Sequence, residues 1–158
     1  DDQIEEVVNA CSGLSRDKTG ALILFERNHG LLNYSTTGTQ LDAKIHSDLI
    51  YTLFQNSSPL HDGAIIIYNN KIQAAGCFLP LSKNIGLDRQ YGTRHRAALG
   101  VSEVSDALVV IVSEESGTIS ICHNGKFHTC IDENDLRKQL RINLYSARLV
   151  ELPKRQAA

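Results

Sequence analysis

The sequence predicts a single α/β domain in which a central mixed β-sheet of five to six or more strands is flanked by helices. Three observations carry that expectation. Apolar, β-branched runs at residues 21–25, 64–68 and 107–112 lack polar alternation and are too short for surface helices, so they read as buried strands. Asn69-Asn70 and Asn124-Gly125 are turn dipeptides that each stand between two strand-like segments, as in a hairpin. Segments with apolar residues at helical spacing lie at both ends of the chain: Ile4, Val7, Val8 and Cys11 near the start, Leu136 and Leu140 near the finish.

The elements follow in order. A helix over residues 4–11 leads through Gly20 into the strand at 21–25. Residues 33–40, rich in Asn, Ser, Thr and Gly, read as a loop, and Asp42 is placed to cap a helix burying Ile45, Leu49, Ile50, Leu53 and Phe54. Ser57-Ser58-Pro59 stops that helix. The strand at 64–68 turns at Asn69-Asn70 and returns over 71–78, and residues 80–91 form a long irregular connection. A short helix over 94–99, with Thr93 as its N-cap, precedes the strand at 107–112. Residues 118–122 and 126–130 form the second hairpin, and a last helix starts at Asp132 or Asn134. The folded unit spans residues 1–150, followed by a flexible C-terminal tail at 151–158.

At 158 residues, 42% hydrophobic and 22% charged, the chain suffices for one domain with its own core. A net charge of −2 without a long basic block argues against a nucleic acid polymer as partner. The strongest apolar run, 107–112, is far too short to cross a bilayer, and no secretory signal is visible. A chain that starts at Asp1 and contains no Met is expected to be an excised or processed segment, so that membrane attachment would come only through an absent N-terminal part. Cysteines 11, 77, 122 and 130 show no CxxC or zinc-finger spacing; their even count permits two disulfides, but Cys77 and Cys122 fall in apolar strand-like segments, so reduced core thiols of a cytoplasmic domain are the expectation.

Two polar words interrupt these apolar segments: His61-Asp62-Gly63-Ala64 and Thr93-Arg94-His95-Arg96. Asp62 stands where a strand begins. It either caps a turn or offers a carboxylate to a divalent cation or a proton. Gly63 and Ala64 behind it are small enough to let a ligand reach the backbone. His61 adds a nitrogen donor, and His with Asp suits Mn²⁺ or Co²⁺ as well as Mg²⁺, although adjacent strand residues point to opposite faces. Arg94, His95 and Arg96 open a helix, where positive side chains oppose the macrodipole unless an anion is bound, so they point to phosphate. Ser113, Glu114 and Glu115 follow a buried strand. From the residues alone an ordinary polar turn is the simpler reading, with a phosphate donor and a second metal carboxylate as the alternative. Residues 78–81, Phe-Leu-Pro-Leu, either line an apolar slot or belong to the core.

Taken together, the stretch from Leu60 to Ala64, the Leu79-Pro80-Leu81-Ser82 segment, the stretch from Gly92 to Ala98, and Ser113-Glu114-Glu115 resemble the diadenylate cyclase domain family. The likeness runs from about Ile4 to Leu140 and is nearest to the membrane-anchored housekeeping class. It implies a nucleotidyltransferase that condenses two ATP into cyclic di-AMP across a face-to-face homodimer, with a divalent metal (Mn²⁺, Co²⁺ or Mg²⁺) as cofactor. By the same resemblance Asp62 holds the metal and helps activate the ribose 3′-hydroxyl, with His61 and Glu114 as further metal positions. Gly63 and Ala64 lie against ATP, Phe78 and Leu79 border adenine, and Thr93, Arg94, His95, Arg96 and Ser113 take the phosphates. The remaining alternatives are a module that binds ATP or the cyclic dinucleotide without turnover, and a metal-dependent phosphohydrolase using Asp62, His61 and Glu114.

Overall fold

The computed structural model describes residues 2–84 and 92–157, so most of the irregular connection expected at 80–91 lies outside the described residues. Seven strands form one sheet: β1 (Ala21–Phe25), β2 (Thr39–Lys44), β3 (Ala64–Tyr68), β4 (Lys71–Cys77), β5 (Leu108–Val112), β6 (Ile119–His123) and β7 (Lys126–Thr129). Their spatial order is β2-β4-β3-β1-β5-β6-β7. Only β1 and β3 run parallel; every other neighbouring pair is antiparallel. The helices are α1 (Asp2–Arg16), α2 (Leu32–Ser35), α3 (Ser47–Leu53), α4 (Thr93–Val104) and α5 (Glu133–Ala157).

The uninterrupted apolar strands follow from cover on both faces. Ala21, Ile23 and Phe25 of β1 join one core with α1, α3 and α5, while Leu22 and Leu24 join a second core under α4. β3 and β5 divide in the same way: Ile65, Ile67, Leu108 and Val110 on the first side, Ile66, Val109 and Ile111 on the second. Side chains that alternate between two dry faces leave no position for a polar residue.

Several expectations at the edges need correction. Residues 39–44, read as loop and helix start, form edge strand β2, whose burial alternates through half-buried Leu41 and Ala43. Edge strands have one wet face and carry a weak apolar signal, which is why composition concealed it. Asp42 does not cap α3. It sits at φ 49° in the β2–β4 register shift, and His46 caps instead, its Nδ1 accepting from the Asp48 amide at 3.1 Å. Thr93 is the first residue of α4, and the N-cap is Gly92, which has no side chain to make a capping hydrogen bond. α5, expected to start at Asp132 or Asn134, starts at Glu133.

Two close approaches fix the end of the sheet on which the motifs lie. Gly63 has φ +119°, and a Cβ there would stand 2.7 Å from Cys77 O of the neighbouring strand. Only glycine takes that conformation at that separation without strain. Gly100 of α4 lies against the segment after β4, where a Cβ would meet Pro80 O at 1.8 Å, and Ser82 N donates to Arg96 O at 3.0 Å nearby. In an open helix Gly→Ala stabilises by about 1 kcal/mol. At Gly100 the obstacle is backbone, so Gly100→Ala is expected to lower unfolding stability by about 1–3 kcal/mol. Denaturant unfolding of the two proteins measures this, and a variant as stable as the parent would separate α4 from the 80–82 segment.

Candidate active site

Four chain segments end at one edge of the sheet and enclose a cleft of about 630 Å³. His61, Asp62 and Gly63 enter from the turn before β3, and Phe78, Leu79 and Leu81 from the segment after β4. The opening of α4 contributes Thr93, Arg94 and His95, and the turn after β5 contributes Ser113, Glu114 and Glu115. Register explains the convergence: Ala64 pairs with Cys77, and Ala21 pairs with Val112, so the starts of β1 and β3 coincide with the finishes of β4 and β5. The cleft therefore lies at the amino ends of the one parallel pair. The strand-end rule invoked for Ser113 holds for β5 but not for β1 and β3.

Arg94 is 24% exposed and its Nη1 lies 3.5 Å from Glu114 Oε2. Its guanidinium rests on the backbone of Gly20, where a Cβ would come within 2.4 Å of the Arg94 Cζ. The first turn of α4 holds no acidic residue to balance Arg94 and Arg96. That leaves a positive field at the helix's own positive end, suited to an anion. His95 is only 8% exposed, with its ring 5.8 Å from that of Phe127. Burial, and then the charge of Arg94, lowers its pKa below the ordinary imidazole value, so it stays neutral. His61 Nδ1 sits 2.7 Å from Ser58 O. A carbonyl only accepts, so Nδ1 carries the proton and Nε2 keeps its lone pair for a metal or a donor. Ser113 Oγ accepts from the amides of Glu115 and Ser116, each at 3.3 Å, which shapes the turn bearing Glu114.

Two of the predicted site residues lie off the cleft wall. Ala64 is fully buried in the second core and Arg96 does not line the cleft. Adjacent strand positions face opposite ways, and residues two apart on a helix point in different directions, so a contiguous motif cannot deliver every member to one site. Leu22, Cys77, Ala97 and Val112 also line the cleft and were not singled out from sequence. They read as core; Val112 adjoins Ser113 and Cys77 adjoins Phe78, whereas Leu22 reaches the cleft only through the pairing of β1 with β5. Burial pushes the Cys77 thiol up to about 11, which keeps it protonated. A smaller hollow of about 250 Å³ between Gln3, Arg27 and Asn70 holds none of the motifs.

His61, Asp62 and Glu114 share the cleft without forming a compact three-ligand cluster. Imidazole nitrogen with two carboxylates is a donor set suited to a divalent cation. Asp62 and Glu114 are exposed, and His61 has its Nε2 lone pair to offer, so the residues fit a metal that substrate oxygens help to hold.

Comparison with known proteins converges on one family. The family model DAC, described as DisA bacterial checkpoint controller nucleotide-binding, matches residues 8–127. Cyclic di-AMP synthase CdaA of Bacillus subtilis is 44% identical over 137 residues, 87% of this chain and 50% of the relative. A diadenylate cyclase of Listeria monocytogenes is 43% identical over the same shares. The chain thus spans about half the length of these curated relatives. Among solved structures, a double mutant of DacA from Staphylococcus aureus superposes with a TM-score of 0.87 at 43% identity, covering 90% of this chain and 95% of that one. A hypothetical membrane spanning protein from Bacillus cereus gives 0.76 at 46% identity, covering 79% and 61%.

The buried imidazole generates a pH prediction. His95, and likewise His123 beside Arg27, resists protonation in the folded protein. The unfolded chain takes those protons near pH 6.5, so it binds more protons as pH falls below that value, and stability falls with it. Denaturation midpoints are expected to drop between about pH 7.5 and pH 5.5. The drop should shrink in His95→Gln; an unchanged drop would assign the effect elsewhere.

Proposed function

The chain belongs to the DAC family, and we propose that it is a diadenylate cyclase domain that condenses two ATP into cyclic di-AMP with release of two pyrophosphates. One observation carries this reading: residues 61–63, 93–95 and 113–115, distant in sequence, line one cleft large enough for a nucleotide.

In this mechanism each domain holds one ATP. The base lies against Leu22, Phe78 and Leu79, and the phosphates lie against the opening of α4, where Arg94, the Thr93 hydroxyl and the helix amides supply donors. Asp62 accepts the proton of the ribose 3′-hydroxyl as that oxygen bonds to the α-phosphorus of the partner's ATP. The bond from α-phosphorus to the bridging oxygen breaks, and pyrophosphate leaves with the electron pair. Arg94 stabilises the charge that develops on it. Neutral His95 orients donors without adding charge, and Ser113 donates its hydroxyl proton to a phosphate oxygen. His61, Asp62 and Glu114 would hold the divalent metal, Mn²⁺, Co²⁺ or Mg²⁺, which supplies Lewis-acid polarisation of the phosphate and the hydroxyl. The same step then runs reciprocally and closes the ring.

A homodimer is required because one cleft holds one nucleotide, and the attacking hydroxyl and the attacked phosphorus sit on different molecules. Phe78 and Leu81, 63% and 53% exposed at the rim, supply apolar surface for such a meeting. In this reading the domain works in the cytoplasm, where ATP is held, on a protein anchored in the membrane. The name of the Bacillus cereus relative supports that anchor; among the described residues no helix is long and apolar enough to cross a bilayer.

Incubation with ATP and Mn²⁺, with products resolved by chromatography and mass spectrometry, is expected to yield cyclic di-AMP. Asp62→Asn should lower the rate by about 10²–10⁴-fold while retaining ATP binding. Parental turnover in that variant would remove Asp62 from proton transfer; AMP or ADP as sole product would make the protein a hydrolase; binding without turnover would make it a regulatory module. Specific activity should also rise with protein concentration through the range in which light scattering shows dimers forming. A monomer with constant specific activity on dilution would count against the shared reaction.

A further inference from the structure

Away from the cleft, edge strand β7 and the first turn of α5 bring three different ligating side chains together. His128 lies in β7 opposite Ile121 of β6. Cys130 continues the strand, its amide donating to Ile119 O at 2.9 Å. Residues two apart on extended backbone share a face, so imidazole and thiol stand side by side. Cys130 packs against the core formed with α1, α3 and α5, whereas Phe127 turns to the other core, beneath α4. Asp135 reaches back from α5, its Oδ2 3.0 Å from His128 Nε2 and accepting from Ile131 N at 3.0 Å. The ligand atoms of all three lie within 4.8 Å of one another, and among the described residues no other three ligating side chains converge in this way.

We infer that His128, Cys130 and Asp135 form a binding site for a borderline-soft divalent cation such as Zn²⁺, separate from the nucleotide cleft. Helix capping accounts for Asp135, whose amide donates to Asp132 Oδ1 at 2.8 Å while its carboxylate takes the Ile131 amide. Capping does not account for an imidazole bonded to that carboxylate with a thiol within 4.8 Å of both. Bonds of about 2.0–2.3 Å place two zinc ligands roughly 3.5 Å apart, so ligand atoms within 4.8 Å of one another have little more than 1 Å to close. Thiolate with imidazole selects Zn²⁺ over Mg²⁺ or Mn²⁺, which prefer oxygen, so this site takes a different ion from the cleft. Burial, and then the Asp135 and Asp132 carboxylates, push the Cys130 thiol up to about 12, so the ion must displace its proton, while the same carboxylates attract the cation. On binding, the Cys130 thiol releases its proton to solvent, His128 gives up the Nε2 proton that it shares with Asp135, keeps its ring proton on Nδ1 and coordinates through Nε2, and Asp135 exchanges its bond to His128 for one to the metal while keeping the Ile131 amide. Water takes the fourth position, reached past the half-exposed His128 side chain. The ion thereby joins the edge of the sheet to α5.

The test uses the chelator-stripped protein titrated with Co²⁺ alone and then with Zn²⁺ alone. One equivalent of Co²⁺ is expected to produce a thiolate-to-cobalt charge-transfer absorption that one equivalent of Zn²⁺ abolishes. The band should vanish in Cys130→Ser and persist in Cys77→Ser, which removes the only thiol lining the cleft among the described residues. His128→Ala, a change at an exposed residue, should weaken Zn²⁺ binding by more than about 10-fold. Zn²⁺, but not Mg²⁺, should raise the Tm of the parent and leave that of His128→Ala unmoved. Absence of the band at one equivalent of Co²⁺, its survival in Cys130→Ser, or parental Zn²⁺ affinity in His128→Ala would each overturn the site.

Discussion

Cover on both faces of the central strands is the constraint on which the rest of this molecule depends. β3, β1 and β5 lie between a core built with α1, α3 and α5 and a second core under α4. Their backbone groups are satisfied only within the ladder, and their side chains alternate between two dry environments. Charge is excluded along their whole length. Polar chemistry is confined to the strand ends, which is where Asp62 and Ser113 stand.

The ends become a site because antiparallel and parallel neighbours are mixed. β5 returns beside β1, and β4 returns beside β3, so two strand starts and two strand finishes share one edge. α4 sets its amino end against that edge, held by backbone contact at Gly100 and by the Ser82 amide. The conflict between Arg94 and its own helix dipole is relieved in part by Glu114, and Gly20 leaves room for the guanidinium to lie flat. An arrangement that opposes the dipole persists where an anion completes it. The edge strand β7 contributes to both faces: Phe127 packs near His95, while His128 and Cys130 turn to the opposite side.

Much of this was legible in the chain. β1, β3 and β5 announced themselves as apolar runs, both hairpins by Asn-Asn and Asn-Gly, and the stripe of α3 by its spacing. The two polar words stood out because nothing in a strand or an amphipathic helix needs them. β2 was hidden because an edge strand half in water looks like a polar loop. α2 was hidden because one turn of helix has no periodicity to detect. The His46 cap was missed because capping depends on where the chain leaves β2, and that register is set by pairing with β4.

The sequence by itself determined the central strands and the two hairpins, where charge interrupts them and which chemical groups are offered, because periodicity and side-chain type are local properties. Tertiary structure alone decided which groups meet. Arg94 faces the cleft whereas Arg96 does not, and Leu22 serves as cleft wall as well as core. His128 and Cys130 find Asp135 only because α5 starts beside the edge strand. Those outcomes depend on the order in which strands pair and on the direction a helix turns each side chain, and both are set by packing across the whole sheet.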